Sequence, residues 1–410
     1  MKKIRVDDLG KIVTGKTPRT NIPENYGGNV PFLTPTDDLS PMKCRTTLNT
    51  ISELGLKEVK NCIIPKDSIC VSCIGSDMGH AIMTSKATVT NQQFNSIIPS
   101  KDYHPEYVYY LMVLLGRMMK SKFGKSSTAV PIVSKSLFSS FEIYIEDDKR
   151  KQKEISDVLA NIDEKIALNT RMNAELEAMA KQLYDYWFVQ FDFPDENGNP
   201  YKSSGGKMVY NSTLKREIPA GWEVKTLNDL VETPKESITP FENPDKEYKH
   251  YSIPAFDTCG SYLLEKGRDI QSNKFVVHKG QILAPKLNPW YNRIIMVNNS
   301  DDAICSTEYV VLDAIEEYTK GFLFFVLKTD SFISYCTKGS SGTSHSQRRV
   351  PPEILKGFSI PFNKTIVSMY TDFVKYQIDK LNGNQEQTRK LTHLRDSLLP
   401  MLMNGQVTVE

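Results

Sequence analysis

The second half of this 410-residue sequence repeats the order of short patterns found in the first half. Five segments recur at offsets of 213 to 218 residues: 6–13 as 224–231, 64–69 as 277–282, 124–128 as 339–343, 141–143 as 358–360, and 162–163 as 378–379. Each match is weak alone. Matches that keep one order and nearly one offset indicate that a folding unit has been duplicated. The sequence therefore predicts two similar structural units in tandem.

Each copy ends in a segment with the spacing of a long helix that packs along one seam. In the first copy the seam positions follow alternating steps of four and three residues: Ile155, Leu159, Ile162, Ile166, Asn169, Asn173, Leu176, Ala180, Leu183 and Trp187. A second, less regular seam comprises Val374, Ile378, Leu381, Gln385, Thr388, Leu391, Leu398 and Leu402. Heptad seams usually pack against another helix, and polar seam residues fix the register. We expect the two helices to pair within the chain; the alternative is a long amphipathic helix on an ordinary core.

These patterns divide the chain into five parts. Mixed α/β domains are predicted at 1–147 and 218–362, and long helices at 148–191 and 363–410. Between them, segment 192–217 is rich in Pro, Gly, Asn and Ser and is interpreted as a linker. The aromatic residues that close the first helix are expected to pack it onto a globular domain. The predicted fold class is α+β, with two mixed α/β domains joined by two long helices.

Residues 10–17, GKIVTGKT, match the phosphate-binding loop pattern G-x-x-x-x-G-K-[ST]. Such a loop needs a buried strand before it and a helix after it. Here two acidic residues precede the motif and two prolines follow it, which disfavours both. The second copy has Asn228, Thr233 and Pro234 in place of the two glycines and the lysine. We interpret the segment as a turn of the fold; the rival hypothesis is an ATPase that uses 10–17, with an acidic metal ligand on strand 141–146.

Composition narrows the class of protein. The formal net charge is only +2, so any basic surface must be local. No apolar run reaches the roughly 18 residues of a membrane span, and no signal peptide is visible. Seven cysteines, an odd number, fit a reducing cytoplasm better than a disulfide framework. Cys70 and Cys73 form a C-x-x-C without a second pair, so we favour buried strand cysteines over a metal or redox site, and we expect no metal site.

The arrangement resembles the specificity (S) subunit of type I restriction–modification enzymes. The resemblance rests on 141–145 and 152–166 at the start of the first helix, on the aromatic segment 183–193 (LYDYWFVQFDF), on 218–224 (IPAGWEV), and on 394–400 (LRDSLLP). It covers essentially the whole chain. Residues 149–153 stand where the family often has a proline-rich entry to the first helix, so they are a departure from its pattern.

The resemblance implies a non-catalytic DNA-binding subunit. Its two target-recognition domains would each read half of a split, asymmetric site in double-stranded DNA, with the helices forming an antiparallel coiled coil between them. It also implies modification (methyltransferase) subunits as partners, two by the family's pattern, and restriction subunits as further partners. S-adenosylmethionine, ATP and Mg would belong to those partners, with no cofactor in this chain. The alternative is a coiled-coil adaptor without a DNA role.

Two segments of the second copy have a composition suited to DNA. Segment 338–349 carries groups that can contact phosphates or base edges: Ser340, Thr343, His345, Gln347, Arg348 and Arg349. Segment 286–293 offers cationic, amide and aromatic groups: Lys286, Asn288, Trp290, Tyr291 and Arg293. The first-copy candidates are Lys16, Arg19, Lys125, Ser126, Thr128 and Lys135. A solvated loop and structural packing are the alternatives for these segments. Residues 288–291 also approach the Asn-Pro-Pro-aromatic motif of adenine methyltransferases, but the sequence has no G-x-G cofactor loop.

Overall fold

The computed structural model describes residues 1–75, 78–123, 131–342 and 347–409. The chain divides into two compact units: unit 1 is Met1–Ala167 with Lys390–Glu410, and unit 2 is Leu168–Arg389. Both long helices cross this border, so each unit contains one globular part and a piece of each helix. The apolar seam of one helix is buried by packing against a second helix. In each unit that second helix comes from the other copy of the repeat.

Unit 1 builds three small sheets. Its strands are β1 (Lys2–Arg5), β2 (Gly10–Thr14), β3 (Tyr26–Leu33), β4 (Lys43–Cys44), β5 (Asn49–Ile51), β6 (Ile63–Ile64), β7 (Ile69–Ser72), β8 (Ala81–Thr84), β9 (Thr88–Thr90), β10 (Phe94–Pro99) and β11 (Glu142–Ile145). Its helices are α1 (Glu53–Val59), α2 (Pro105–Phe123), α3 (Lys135–Ser140) and the first part of α4 (Lys149–Tyr184). The sheets have the orders β2-β10-β7-β8-β4, β5-β3-β9-β6 and β1-β11.

The core of unit 1 lies between the five-stranded sheet and α2. Ile69 and Val71 of β7 and Met112 of α2 are buried in one apolar cluster. The same cluster contains Leu159 of α4 and, from the C-terminal segment, Leu399. The helix pair is therefore part of the core of this unit, as amphipathic helices with one apolar stripe require.

Unit 2 contains the remaining elements. Its strands are β12 (Met208–Asn211), β13 (Arg216–Pro219), β14 (Glu223–Thr226), β15 (Val231–Glu232), β16 (Ser237–Ile238), β17 (Glu247–Tyr251), β18 (Leu263–Lys266), β19 (Lys274–Val276), β20 (Ile282–Pro285), β21 (Ile295–Met296), β22 (Ala303–Ser306), β23 (Tyr309–Ala314) and β24 (Ser359–Phe362). Its helices are α5 (Ile253–Cys259), α6 (Lys320–Val326), α7 (Asp330–Lys338), α8 (Pro352–Lys356) and most of α9 (Lys364–Met403).

The duplication seen in the sequence is present in the sheets. In unit 1, β1 pairs antiparallel with β11, and in unit 2 β14 pairs in the same way with β24. The order β2-β10-β7-β8 of unit 1 is matched by β15-β23-β20-β21 of unit 2. Two mixed α/β parts with the same strand order confirm the predicted tandem α+β architecture.

In unit 2 the two helices run antiparallel around a polar layer. The Asn169 side chain donates to Gln387 Oε1 at 2.9 Å, and the Asn384 side chain donates to Asn173 Oδ1 at 2.9 Å. Farther along, the Tyr370 hydroxyl donates to Ala180 O at 2.8 Å. The residue numbers of the bonded partners therefore fall along α9 as they rise along α4, which is the mark of an antiparallel pair. The predicted seam is confirmed, and its asparagines make the kind of specific contact that holds one register.

The unit 1 portion of the helix pair follows the predicted seam with one shift. Ile155, Leu159 and Ile162 of α4 are buried as expected. On α9 the predicted Leu402 is buried, together with Leu399, whereas the predicted Leu398 is only partly buried at the edge of the cluster. The spacing after Leu391 is irregular, so the adjacent residues Leu398 and Leu399 fit the heptad almost equally well. The sequence pattern therefore did not determine which of the two lies in the seam.

Segment 192–217, interpreted from its composition as a linker, is built into unit 2. Phe193 stacks on Tyr201 with ring centroids 4.8 Å apart and on Trp222 at 5.0 Å. Strands β12 and β13 then form an antiparallel hairpin. The linker interpretation was therefore wrong, because Pro, Gly and Asn here mark tight turns between residues that pack on the core rather than a solvated connection.

Candidate nucleic-acid interface

The two candidate segments of the second copy come together in unit 2. The chain beyond β20 pairs with the residues before α8 through an isolated antiparallel bridge between Leu287 and Arg349. The Val350 N–H donates to Lys286 O at 3.0 Å, and the Asn288 N–H donates to Arg348 O at 2.8 Å. We call residues 286–293 with 340–342 and 347–350 the unit 2 platform. Segments treated separately in the sequence thus form one surface.

Unit 1 contains the same bridged pair of segments beyond β7, the strand that corresponds to β20. An isolated antiparallel bridge joins Ile74, just beyond β7, to Ile132, just before α3. The Gly75 N–H donates to Pro131 O at 3.1 Å, and the Val133 N–H donates to Cys73 O at 2.8 Å. We call residues 73–75 with 131–133 the unit 1 platform. In both units, therefore, the residues that follow an inner strand of the sheet lie beside the loop that precedes a short helix.

The tip of the unit 2 platform is a rigid turn. Asn288 and Asn292 bracket a 3-10 turn with φ angles of 50° and 45°, in the left-handed region that asparagine tolerates better than most residues. The Arg293 guanidinium lies 4.4 Å from the centroid of the Tyr291 ring. It also donates to both carboxylate oxygens of Asp257, at 2.6 and 2.8 Å. Tyr291 remains 57% exposed, so an ordered aromatic ring faces solvent.

The arginines of the second segment already have internal partners. Arg349 forms a two-oxygen ion pair with Glu308, its Nε lying 3.0 Å from Oε2. The hydrogen bonds that Arg349 donates to Glu308 and the charge of that carboxylate raise the pKa of the Arg349 guanidinium. Arg348 donates to the backbone oxygen of Ser340, a buried residue whose own hydroxyl donates to Thr337 O. Ser340 thus supports the loop, whereas Arg349 and the exposed Gln347 face outward.

The unit 1 candidates are scattered. Lys16 and Lys135 are exposed, and Lys135 begins α3. Arg19 forms an ion pair with Glu58 at 2.7 Å, and side-chain and backbone hydrogen bonds from Arg19 lower the pKa of Glu58 to about 2. The remaining first-copy candidates, and two from the second copy, lie outside the described residues: Lys125, Ser126, Thr128, Thr343 and His345.

The GKIVTGKT segment is not a phosphate-binding loop. Gly10–Thr14 is strand β2, and the next helical element is the three-residue turn Pro23–Asn25. The Gly15 N–H donates to Phe94 O and the Lys16 N–H donates to Thr90 O, at 3.2 and 2.9 Å. Backbone donors bonded within the protein cannot cradle a phosphate. The motif is a strand end in the sheet, which overturns the ATPase hypothesis for this segment.

The cysteine motif is equally structural. Cys70 and Cys73 are buried at β7. Burial raises the pKa of the Cys70 thiol to about 12 and that of Cys73 to about 11, so both stay protonated at neutral pH. Across residues 1–75, 78–123, 131–342 and 347–409, no three His, Cys, Asp or Glu side chains cluster as metal ligands would. Over the same ranges no helix has both the length and the apolar character to cross a membrane.

Two carboxylates that pair with arginines of the unit 2 platform were missed from the sequence. Asp257 holds Arg293 and Glu308 holds Arg349, and each lies about 40 residues from its partner, at sequence separations of 36 and 41. No local spacing connects residues so far apart. Their charge opposite to a candidate cation was the only available signal, and it did not single them out among 49 acidic residues.

Comparison with known proteins finds specificity subunits of type I restriction enzymes. Residues 1–178 match the family described as type I restriction modification DNA specificity domain. The MjaIX specificity subunit of a type I restriction enzyme from Methanocaldococcus jannaschii is 28% identical, over 100% of this chain and 94% of its own length. The HindI specificity subunit from Haemophilus influenzae is 38% identical, over 34% of this chain and 30% of its own length.

A solved structure supports the same fold. The crystal structure of the type I restriction–modification S subunit from M. genitalium aligns with a TM-score of 0.53 at 14% identity, covering 98% of this chain and 96% of that one. Both relatives above are named specificity subunits. Residues 1–178 of this chain therefore match a type I restriction modification DNA specificity domain, and the whole chain is similar to type I specificity subunits.

Proposed function

We propose that the chain is the sequence-reading subunit of a type I restriction–modification complex and that each platform reads one half of a bipartite DNA site. The observation that carries this proposal is the repeated pairing of two segments. In both units the residues after an inner strand form a bridge with the loop before a short helix. A duplicated surface suits a ligand with two similar halves, and duplex DNA has that approximate symmetry.

The two half-sites would differ in sequence. The unit 1 platform has Ile74 and Gly75 where unit 2 has Leu287 and Asn288, at an offset of 213. Cys73, which corresponds to Lys286 of unit 2, is buried. Cations and amides make hydrogen bonds to base edges, while aliphatic groups favour contact with the thymine methyl group. Different side chains on one scaffold thus predict an asymmetric target.

The chain would also act as the scaffold for catalytic partners. Its similarity to specificity subunits supports assembly with modification subunits, two per chain in this proposal, and with restriction subunits where these exist. The partners would supply adenine methylation and cleavage, together with S-adenosylmethionine, ATP and Mg. The complex would act on DNA in the cytoplasm. Sequencing the methylated adenines of cells with and without this chain would identify the target.

Replacing the two arginines of segment 338–349 tests the platform. We expect Arg349→Ala and Arg348→Ala each to weaken binding of the target duplex by the assembled complex. If the residue reads a base, the loss should be about 1–3 kcal/mol and should relax preference in one half-site only. If it contacts phosphate, the slope of log affinity against log salt should fall by about one. Titrations at several salt concentrations on duplexes altered in one half-site separate these outcomes.

Arg268→Ala is the matched control, because Arg268 is also exposed and ion-paired, with Asp245. It should leave affinity and salt slope unchanged. Wild-type binding that is indifferent to both sequence and salt would contradict the proposed function and would support the adaptor alternative.

The helices are proposed to set the gap between half-sites. Both α4 and α9 contribute to both units, so inserting seven residues into each at paired levels should lengthen the pair by ~10.5 Å at 1.5 Å per residue. We expect the preferred gap to widen by roughly three base pairs at 3.4 Å each. Methylated-adenine sequencing measures the gap directly. An unchanged gap with the insertions in place would refute this role for the helices.

A further inference from the structure

We propose that Tyr291 is a base-stacking residue of the unit 2 platform, held in place by Arg293 and Asp257, and that the described residues of unit 1 provide no equivalent. This inference rests on the proposed function, because it specifies how one of the two platforms contacts DNA. Its ligand is a nucleobase whose face becomes accessible when the duplex is bound.

The ring is exposed although the residues around it are ordered. Tyr291 is 57% exposed, whereas Pro289 in the same turn is buried. The neighbouring Trp290 ring is tilted by 48° with its centroid 5.9 Å away, so it does not cover the Tyr291 ring by stacking. A large aromatic side chain presented at the tip of a platform is the kind of group that makes sequence-tolerant stacking contacts with bases.

Arg293 fixes the ring before any ligand arrives. Its guanidinium lies 4.4 Å from the ring centroid, and the arginine side chain is only 13% exposed. Asp257 accepts two hydrogen bonds from that guanidinium, which sets its plane. Because the cation contacts one face of the ring, the other face is the one available to a base. An aromatic group whose orientation is already set loses less entropy on binding than a freely rotating one.

The backbone also holds the turn in place. Asn288 and Asn292 both adopt positive φ values, which non-glycine residues rarely do and which the surrounding structure must stabilise. The Asn288 side chain accepts a hydrogen bond from the Arg348 N–H at 3.2 Å, so the tip is tied to the segment that carries Arg349. The stacking ring and the candidate DNA-contacting arginine therefore belong to one ordered surface.

The corresponding segment of unit 1 cannot make this contact. At the offset of 213 that relates β7 to β20, Tyr291 corresponds to Met78 and Arg293 to His80. Met78 is 1% exposed. Stacking by this segment is thus predicted in one half-site only.

Photocrosslinking tests the proposal with a defined probe. The whole chain, assembled with its modification subunits, is irradiated with a pool of random-sequence duplexes in which 5-iodo-2′-deoxyuridine replaces thymidine. Trypsin cuts after Lys286 and after Arg293, so the reactive peptide is 287–293. We expect a crosslink in this peptide that maps to Tyr291, that Tyr291→Phe retains, and that Tyr291→Ala abolishes. Tyr291→Ala should also weaken target binding by roughly 5- to 100-fold.

Tyr210→Ala is the control, because Tyr210 is 68% exposed on strand β12 of the same unit. It should change neither the crosslink nor the affinity. The stacking role alone is overturned if the wild type binds DNA selectively but gives no crosslink in 287–293, and if Tyr291→Ala binds with unchanged affinity. Wild-type binding without sequence preference overturns the proposed function. Loss of subunit assembly with intact DNA binding in Tyr291→Ala would assign the ring to a protein contact and also overturn the inference.

Discussion

Phe188→Ala is expected to lower the free energy of unfolding of unit 2 by about 4 kcal/mol, within the range for removing a large aromatic side chain from a core. Phe188 is fully buried where α4 ends. Its ring centroid lies 4.7 Å from that of Phe322, 5.2 Å from Tyr184, 5.5 Å from Tyr370 and 5.8 Å from Trp222. Its removal would leave a cavity at the point where both helices meet the globular part.

The measurement is selective because of where the tryptophans lie. All three, Trp187, Trp222 and Trp290, belong to unit 2, so tryptophan fluorescence during urea unfolding reports on that unit. Phe241→Ala is the control, because Phe241 is 53% exposed, and it should change stability by less than about 0.5 kcal/mol. A loss below about 1.5 kcal/mol for Phe188→Ala would contradict the described packing.

Asp163→Ala is expected to destabilise unit 1 by about 2–3 kcal/mol. The Asp163 carboxylate accepts hydrogen bonds from Arg395 Nη1 at 2.8 Å and from the Tyr110 hydroxyl at 2.7 Å. Burial and the Asp163 charge both raise the pKa of Tyr110. For Arg395, burial lowers the pKa, but hydrogen bonds to Asp163 and Asp396 and the charges of these carboxylates raise it overall.

Loss of the Asp163 carboxylate leaves two polar groups with fewer partners in a partly buried place. Breaking a buried ion pair costs about 3–5 kcal/mol. The Arg395 side chain is 25% exposed, and it retains Asp396, so the expected loss is smaller. Unit 1 contains no tryptophan, so hydrogen exchange of α2 and of α4 up to residue 167 is the suitable readout.

Asp157→Ala provides the matched control on the same helix. Asp157 pairs with Lys153 one turn away, and both side chains are about half exposed, at 46% and 58%. Such surface pairs contribute about 0.3–0.5 kcal/mol. Equal effects of the two aspartate substitutions would show that the Asp163 pair is no more important than a surface pair.

The duplicated architecture was predictable because its signals are local and periodic. Repeats at a nearly constant offset indicated two similar units, and heptad spacing indicated the helix pair with Asn169 and Asn173 in its seam. The false phosphate loop was also recognisable, because the prolines after Lys16 prevent the helix that such a loop needs. Where two adjacent residues satisfied the same spacing, as at Leu398 and Leu399, the pattern chose the wrong one.

The surface proposed to bind DNA could be predicted only in part. Composition singled out segments 286–293 and 338–349, but nothing in either indicates that they pair with each other. Their pairing follows from the position of β20 in its sheet, which brings its extension beside the residues before α8. Amino-acid composition therefore indicated which segments suit DNA, while sheet topology decided that they form one platform.

The sequence alone indicated two similar units and a helix seam in each copy, since repeats and periodicity can be read along the chain. Side-chain chemistry likewise indicated which segments suit DNA, a role that stays a prediction. Only the tertiary structure decided that Asp257 and Glu308 hold the candidate arginines, that Ser340 is buried, and that segment 192–217 is part of a core. These features depend on distances between residues far apart in the chain. Such distances are set by the packing of whole elements and not by neighbouring residues.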